Sequence, residues 1–251
     1  LGLRLPGKGY PSPEGDAPMA LPPRYTWLDS LGEGGQGSVE LVMDQDLGRC
    51  VALKTLHSHK TNKEDLIDLY QESRITGQLE HPHIMPIYDV GQLPDGCLYY
   101  TMPRLPGESL HHVLALRRRG NAETLARWPL MPLLQVLGKV CQGVGYAHAH
   151  GVIHRDLKPA NILLGEHGEV LVVDWGIARV LHSVDGARGR LWSREGEERV
   201  ERVRGSPPYM APEQVKHPDH VSPAADVFCL GVILYEVLCR ESPFPGSTLD
   251  E

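Results

Sequence analysis

The chain has 251 residues, a formal net charge of −7 and a hydrophobic fraction of 41 %. This length allows one or two domains with a sizeable core, and the negative charge argues against a nucleic-acid partner. Five cysteines without C-x-x-C spacing predict reduced thiols and a cytoplasmic location. No apolar run reaches the ~18 residues of a membrane helix, so no membrane span is expected within this sequence.

The N-terminal part is predicted to be a tail followed by a strand-rich region. Residues 1–24 are rich in proline and glycine and predict a flexible tail before a domain at residues 25–251. Apolar patterning then predicts four strands and one helix. The strands span 39–43, 50–54, 84–90 and 97–102, and the helix spans 62–79.

From residue 104 the pattern becomes mainly helical, with two short strands. Periodicity predicts a helix at 131–150, which Gly151 would end, and a strongly apolar helix at 224–238, which would therefore be buried. A shorter helix is predicted at 110–116, strands at 162–164 and 170–173, and charged loops at 117–127 and 180–203.

The run from His154 to Asn161 carries the most specific chemical signal. It resembles the protein-kinase catalytic loop, H-R-D-L-x-x-x-N, whose fixed positions arise by chance in about one of ten thousand such chains. Asp156 is predicted to be the general base for a substrate hydroxyl and Asn161 a ligand of Mg²⁺. Lys158 is predicted to contact the transferring phosphate, and His154 to be a packed structural residue.

A glycine-rich segment lies earlier in the chain and contains G-x-G-x-x-G-x-V. Such glycines let the backbone pass close to phosphates. The pattern is weak alone, because 27 glycines produce it by chance about 0.3 times per chain, so a plain glycine-rich hairpin stays possible. A strand follows it, which disfavours a dinucleotide-binding fold. The candidate nucleotide-binding residues are Leu31, Gly32, Glu33, Gly34, Gly35, Gln36, Gly37, Ser38 and Val39.

The segment from Val51 to Lys54 resembles the V-A-I-K strand of kinases. It would place the Lys54 charge on nucleotide phosphates and Ala52 in the nucleotide site. Alignment to kinase sequences, rather than spacing, selects Glu72 on the predicted helix as the ion-pair partner of Lys54.

Three later segments add to this resemblance. Asp174 opens a D-W-G run at the position of the kinase D-F-G, and its carboxylate is predicted to bind Mg²⁺. Residues 205–213 end in Ala-Pro-Glu and resemble the segment that closes a kinase activation region, where Ser206 would have a structural role beside Lys158. Asp226 resembles the buried acid that anchors the catalytic loop.

Taken together, the motifs resemble those of bacterial serine/threonine protein kinases of the eukaryotic-like type over residues 25–251. The resemblance implies an α+β, bilobal kinase fold, with a small antiparallel-sheet N-lobe at about 25–103 and a mainly helical C-lobe at about 104–251. ATP would lie between the lobes, with Met102 as gatekeeper and residues 103–105 near the adenine. Such kinases continue through further helices, so the last helices of the domain are expected to be missing here.

Two classes of function stay open at this point. The first is an active kinase that uses ATP and Mg²⁺ to phosphorylate Ser or Thr hydroxyls of proteins in signalling, including its own. The second is a non-catalytic pseudokinase or regulatory module that binds nucleotide. Retention of Lys54, Asp156 and both metal ligands favours the first. A small-molecule kinase is a weaker third reading, because the Ala-Pro-Glu segment serves peptide substrates.

Overall fold

The computed structural model describes residues 19–33, 37–56, 70, 73–175, 178–180 and 205–244, and elements are numbered over these residues. The chain divides into two compact units. The first is drawn from Leu1–Ser73 and Ile87–Arg104, and the second from Arg74–Pro86 and Leu105–Glu251. Residues 74–86 thus group with the later part of the chain. The domain bounds drawn from the sequence stay predictions.

The first unit is built on a five-stranded antiparallel sheet in the order β1-β2-β3-β5-β4. Its strands are β1 (Tyr25–Glu33), β2 (Gly37–Asp44), β3 (Arg49–Leu56), β4 (Asp89–Gln92) and β5 (Leu98–Pro103). Alternate residues of neighbouring strands meet on one face, as the period of two requires. A buried cluster covers that face and comprises Tyr25, Val42, Val51, Leu53, Leu93, Cys97 and Tyr99.

The second unit is mainly helical, with two small sheets. Its helices are α1 (Leu110–Arg118), α2 (Ala122–Arg127), α3 (Leu130–Ala149), α4 (Pro212–Lys216) and α5 (Pro223–Cys239). One antiparallel sheet has the order β6-β8-β9, and β7 pairs with β10 in the other. These strands are β6 (Gly107–Ser109), β7 (Val152–Ile153), β8 (Ile162–Gly165), β9 (Val170–Val172) and β10 (Arg179–Val180).

Helix α3 is the centre of the second core. Its apolar residues recur at helical spacing, so one face is buried along its length. The buried positions are Leu133, Val136, Leu137, Val140, Gly143, Val144 and Ala147. The helix ends before Gly151, whose φ of 74° is a left-handed conformation that favours glycine, as the sequence predicted.

The predicted strand at 84–90 is wrong in its position, because the strand that forms is Asp89–Gln92. Pro86 has no N–H to contribute to a ladder. The residues before it bond instead to β9: the Met85 N–H donates to the Val172 carbonyl at 3.0 Å, and the Val172 N–H donates to the His83 carbonyl at 2.9 Å.

Two further predictions need correction. The segment 117–127 is not a solvated loop, because α2 forms within it, capped by the Asn121 side chain, which accepts the Thr124 N–H. Arg117 is buried and donates to the Trp128 carbonyl. Helix α5 is not buried on all sides, since its residue Val227 is 61 % exposed. The remaining strand predictions at 39–43, 50–54, 97–102, 162–164 and 170–173 are confirmed to within about two residues.

Part of the predicted helix 62–79 and nearly all of the charged segment 180–203 lie outside the described residues. Residues 73–76 are helical. In the described ranges, no helix combines the length and apolarity that crossing a bilayer requires.

Candidate active site

The loop between β7 and β8, residues 154–161, holds the predicted catalytic residues of the second unit. Asp226 of α5 anchors this loop, as predicted: its side chain is fully buried and accepts two backbone hydrogen bonds. The His154 N–H donates to Oδ2 and the Arg155 N–H donates to Oδ1, both at 2.9 Å. Arg155 has a φ of 70°, a strained conformation that these bonds maintain.

His148 of α3 adds a third donor to this acid, and the sequence analysis missed it. Its Nε2 lies 2.7 Å from Asp226 Oδ2. A buried carboxylate needs such partners, because burying a charge without them costs far more than burying a neutral polar group. The two residues are separated by 78 positions, so no spacing signal in the sequence could join them.

His154 is a structural residue, as predicted, and it also orients Asp156, the predicted base. Its ring is fully buried and packs on the Trp175 ring, with centroids 4.6 Å apart. The Asp156 N–H donates to Nδ1 at 3.3 Å, so Nε2 carries the hydrogen and donates to the Val173 carbonyl at 3.1 Å. The imidazole therefore joins the base to the segment that leads to Asp174.

The two carboxylate oxygens of Asp156 have different surroundings. Oδ2 accepts the Lys158 ammonium at 2.7 Å, and the same Nζ donates to Ser206 Oγ at 2.8 Å. The structural position predicted for Ser206 is thereby confirmed. Oδ1 is buried and has no hydrogen-bond partner in the described part of the chain. The Asp156 side chain as a whole is 14 % exposed, so its carboxylate can take a proton from an incoming hydroxyl group.

Asn161 and Asp174 supply the oxygen atoms predicted for a metal. The Asn161 Nδ2 donates to the Asp156 carbonyl at 2.9 Å, so its Oδ1 is the amide atom that can ligate a cation. The Val173 N–H donates to the Asn161 carbonyl at 3.0 Å, which brings the residue before Asp174 beside the loop. Asp174 itself has a φ of 66°.

This donor set fits Mg²⁺, which prefers one or two carboxylate or amide oxygens together with phosphate oxygens. Among the described residues, no group of three or more His, Cys, Asp or Glu side chains is arranged around a metal position. Trp175, in the D-W-G run, is 1 % exposed and belongs to the core of the second unit. Gly176 lies outside the described residues.

The predicted nucleotide-binding residues of the first unit lie on β1, β2 and β3. Residues 31–33 end β1 and residues 37–39 begin β2, and Gly32 pairs with Val39 while Glu33 pairs with Ser38. Leu31 is 45 % exposed at the end of β1. Gly34, Gly35 and Gln36, the middle of the glycine-rich segment, lie outside the described residues.

Lys54 and Ala52 lie two positions apart on β3, and so on the same face of the strand. Lys54 pairs with Val39 on β2 and with Tyr100 on β5, and its Nζ lies 5.5 Å from the centre of the Tyr100 ring, within cation–π range. Ala52 is buried and pairs with Met102. Glu72 lies outside the described residues, so its predicted ion pair with Lys54 stays a prediction.

The structure thus brings Asp156, Lys158 and Asn161 together in one loop. Asp174 directly follows Val173, whose N–H is hydrogen-bonded to that loop. Lys54, Ala52 and the ends of the glycine-rich segment come together in the other compact unit.

The chain after residue 205 is tied to α5 by two contacts that the sequence analysis did not identify. The Tyr209 hydroxyl donates to Glu236 Oε1 at 2.8 Å, and the Cys229 thiol donates to the Tyr209 carbonyl at 3.0 Å. Burial, helped by nearby carboxylates, raises the pKa of the Cys229 thiol and of the Tyr209 phenol far above their usual ranges. Both groups therefore remain protonated donors.

Comparison with known proteins agrees with this arrangement. A family model described as the protein kinase domain matches residues 25–251. Serine/threonine-protein kinase PknD of Protochlamydia amoebophila is 36 % identical over 239 residues, which cover 90 % of this chain and 24 % of that protein. The PknD of Chlamydia muridarum is 35 % identical over 243 residues, which cover 88 % of this chain and 25 % of that protein.

A third relative comes from a different bacterial group. The DNA damage-responsive serine/threonine-protein kinase RqkA of Deinococcus radiodurans is 35 % identical over 226 residues, covering 90 % of this chain and 31 % of that protein. The chain spans about a quarter of the two PknD proteins. The five-stranded antiparallel sheet and the helices confirm the predicted kinase fold class. Because the family model covers residues 25–251, the chain belongs to the protein kinase family.

Proposed function

We propose that this chain is an ATP-dependent kinase domain that transfers the γ-phosphoryl group of MgATP to Ser or Thr hydroxyls of proteins. The observation that carries the proposal is the Asp156 carboxylate, which Lys158 holds by Oδ2 at 2.7 Å while the side chain keeps 14 % of its surface exposed. A partly exposed carboxylate held in one orientation can accept a hydrogen bond from a substrate hydroxyl. The motif, the geometry and the relatives' names all support this activity.

Asp156 would act as the base in this reaction. The acceptor oxygen forms a bond to the γ-phosphorus, the bond from phosphorus to the leaving ADP oxygen breaks, and the hydroxyl proton passes to the Asp156 carboxylate. Lys158 keeps the carboxylate in one orientation through its 2.7 Å bond and adds positive charge beside the transferring group. Ser206 holds Lys158 in that position.

Asn161 and Asp174 would hold Mg²⁺, and Lys54, Glu72, Ala52 and residues 31–39 would hold the nucleotide. A bound Mg²⁺ ion neutralises negative charge that develops on the phosphate oxygens. Lys54 would add a second positive charge to these phosphates. Autophosphorylation, a role in signalling and a cytoplasmic location belong to the same proposal.

The test is phosphate transfer from labelled MgATP to the chain itself and to a general Ser/Thr acceptor, with Asp156→Asn as the critical variant. We expect the variant to lose at least about 100-fold in transfer rate while nucleotide binding is retained, because only the base is removed. Chelation of Mg²⁺ should abolish transfer by the wild type. Glu166→Gln, an exposed change in the turn between β8 and β9, is the matched control.

Two outcomes would contradict the proposal. Wild-type turnover by Asp156→Asn would remove Asp156 from the chemistry. A folded wild-type chain that binds ATP but transfers no phosphate would instead favour a regulatory nucleotide-binding module.

A further inference from the structure

We propose that Gln214 is a positioning residue for the base, because it holds the peptide group that leads into Asp156. Gln214 lies in α4, immediately after the Ala-Pro-Glu run, and is 1 % exposed. The inference rests on the proposed function, since it concerns the same catalytic base.

The Gln214 side chain uses both ends of its amide. Nε2 donates to the Arg155 carbonyl at 2.8 Å, across 59 positions of sequence. Oε1 accepts the Ala211 N–H at 3.1 Å. The first contact reaches the catalytic loop, whereas the second stays within the turn that begins α4. One side chain thus joins the end of the Ala-Pro-Glu segment to the residue before the base.

The peptide group between Arg155 and Asp156 is held at both of its polar atoms. Its carbonyl accepts from Gln214, and its N–H donates to His154 Nδ1 at 3.3 Å. On the other side of Arg155, the N–H is bonded to Asp226 Oδ1. Because a peptide unit is planar, fixing its carbonyl and N–H fixes the direction in which the Asp156 Cα and side chain leave it.

Close packing around the Arg155 carbonyl makes the Gln214 donor important. A Cβ at Gly205 would lie 3.3 Å from this carbonyl oxygen and 3.7 Å from Gln214 Nε2. Arg155 already has a φ of 70°, which is costly for a residue with a side chain. Removal of the donor leaves a buried carbonyl unpaired and favours rotation of this peptide, which would turn the Asp156 carboxylate away from the substrate hydroxyl.

A simpler reading is that Gln214 serves only the beginning of α4 through its contact with Ala211. The two readings separate because the two contacts use different atoms. Gln214→Glu keeps an oxygen for the Ala211 N–H but has no N–H for the Arg155 carbonyl. Gln214→Met has a similar length and loses both hydrogen bonds.

The experiment measures the single-turnover rate of phosphoryl transfer and the affinity for a fluorescent ATP analogue in each variant. A misplacement of about 1 Å in a catalytic group costs on the order of 100-fold, so we expect Gln214→Glu and Gln214→Met both to lose about 100-fold in rate. Nucleotide affinity should change by less than about twofold, because only the base is misplaced.

Thr124→Val is the control for general destabilisation, since it removes a buried hydroxyl of the same unit that donates to Asn121 Oδ1 at 2.9 Å. It should lower the unfolding midpoint without lowering the transfer rate. Wild-type transfer by Gln214→Glu together with a slow Gln214→Met would assign the residue to α4 alone and overturn the inference. A parallel loss of rate and nucleotide affinity in both variants would also overturn it.

These outcomes are distinct from failure of the proposed function. If Asp156→Asn loses transfer while both Gln214 variants keep the wild-type rate, the kinase activity stands and only the positioning role is wrong. If Gln214→Met does not fold, Gln214→Glu, which has nearly the same shape as glutamine, decides the question.

Discussion

At the scale of single residues, Asp226 shows how one buried acid determines the geometry of a catalytic loop. Its two oxygens accept from the backbone of His154 and Arg155 and from the His148 ring. Each donor residue precedes Asp226 by at least 71 positions in the sequence. The strained conformation of Arg155 is therefore maintained by a residue that belongs to a different element.

Asp226→Asn is expected to destabilise the protein and to suppress transfer. In this variant an amide nitrogen, which is a donor, replaces one of the two carboxylate oxygens, which are acceptors. It would face a backbone N–H or the His148 ring and leave a buried polar group unpaired. The expected loss is about 1–3 kcal/mol in the free energy of unfolding. Urea unfolding measures it, with Glu166→Gln as an exposed control. An unchanged midpoint would show that the loop does not depend on this carboxylate.

The sequence predicted Asp156, Lys158 and Asn161 because they lie in a short run whose chemistry depends on residue type and spacing, and it predicted Asp226 from the resemblance to kinases. It did not predict His148 or Gln214. Their roles come from hydrogen bonds that close over 78 and 59 positions, and no local pattern distinguishes them from other residues of the same type.

At the scale of elements, hydrogen bonds from Arg24 and Tyr25 hold together the ends of strands β1, β2 and β4. Its guanidinium donates twice to Asp44 at the end of β2, each at 2.9 Å, and once to Asp89 at the start of β4 at 3.3 Å. Tyr25, the first residue of β1, also donates to Asp89. The bonds from Arg24 hold the pKa of Asp44 below its usual range. Arg24 is partly exposed, so solvent screens part of the attraction.

The ion pair between Arg24 and Asp44 predicts a pH dependence of stability. A carboxyl whose folded pKa is lowered contributes stability above its unfolded pKa of about 3.9, and this contribution is lost as the pH falls through the folded value. In the wild type, the urea concentration at the unfolding midpoint should therefore decrease as the pH is lowered below about 5. Arg24→Met should make that fall shallower, whereas Arg119→Met, an exposed change, should leave it as it is. Identical acid profiles for all three proteins would contradict the assignment.

The elements that the sequence predicted wrongly have a common physical cause. Residues 84–90 have strand-like composition, but the Val172 backbone takes the hydrogen bond of Met85. Residues 117–127 have loop-like charge, but Asn121 caps a helix and Arg117 is buried against the Trp128 carbonyl. In each case a specific hydrogen bond outweighs local composition: a long-range one for Met85, and for α2 the local helix cap that Asn121 supplies.

At the scale of the whole molecule, 32 acidic residues exceed 25 basic residues, and the isoelectric point is about 6.0. Net charge keeps protein molecules apart, so solubility should be lowest near pH 6.0 and higher at a pH near 8, where the charge is negative. Turbidity or the concentration of the supernatant across this range measures it. Lower solubility at the higher pH would show that surface patches, rather than net charge, control association.

The sequence predicted most of the strands, the helices at 131–150 and 224–238 and the residues of the loop at 154–161, because these depend on periodicity, glycine and residue type at short spacing. The fold class came from the resemblance of its motifs to those of kinases. Tertiary structure alone decided which Asp156 oxygen Lys158 binds, and that His148 and Gln214 support the loop around Arg155. Those features depend on where distant segments meet, which is set by packing of the whole core and not by any local pattern.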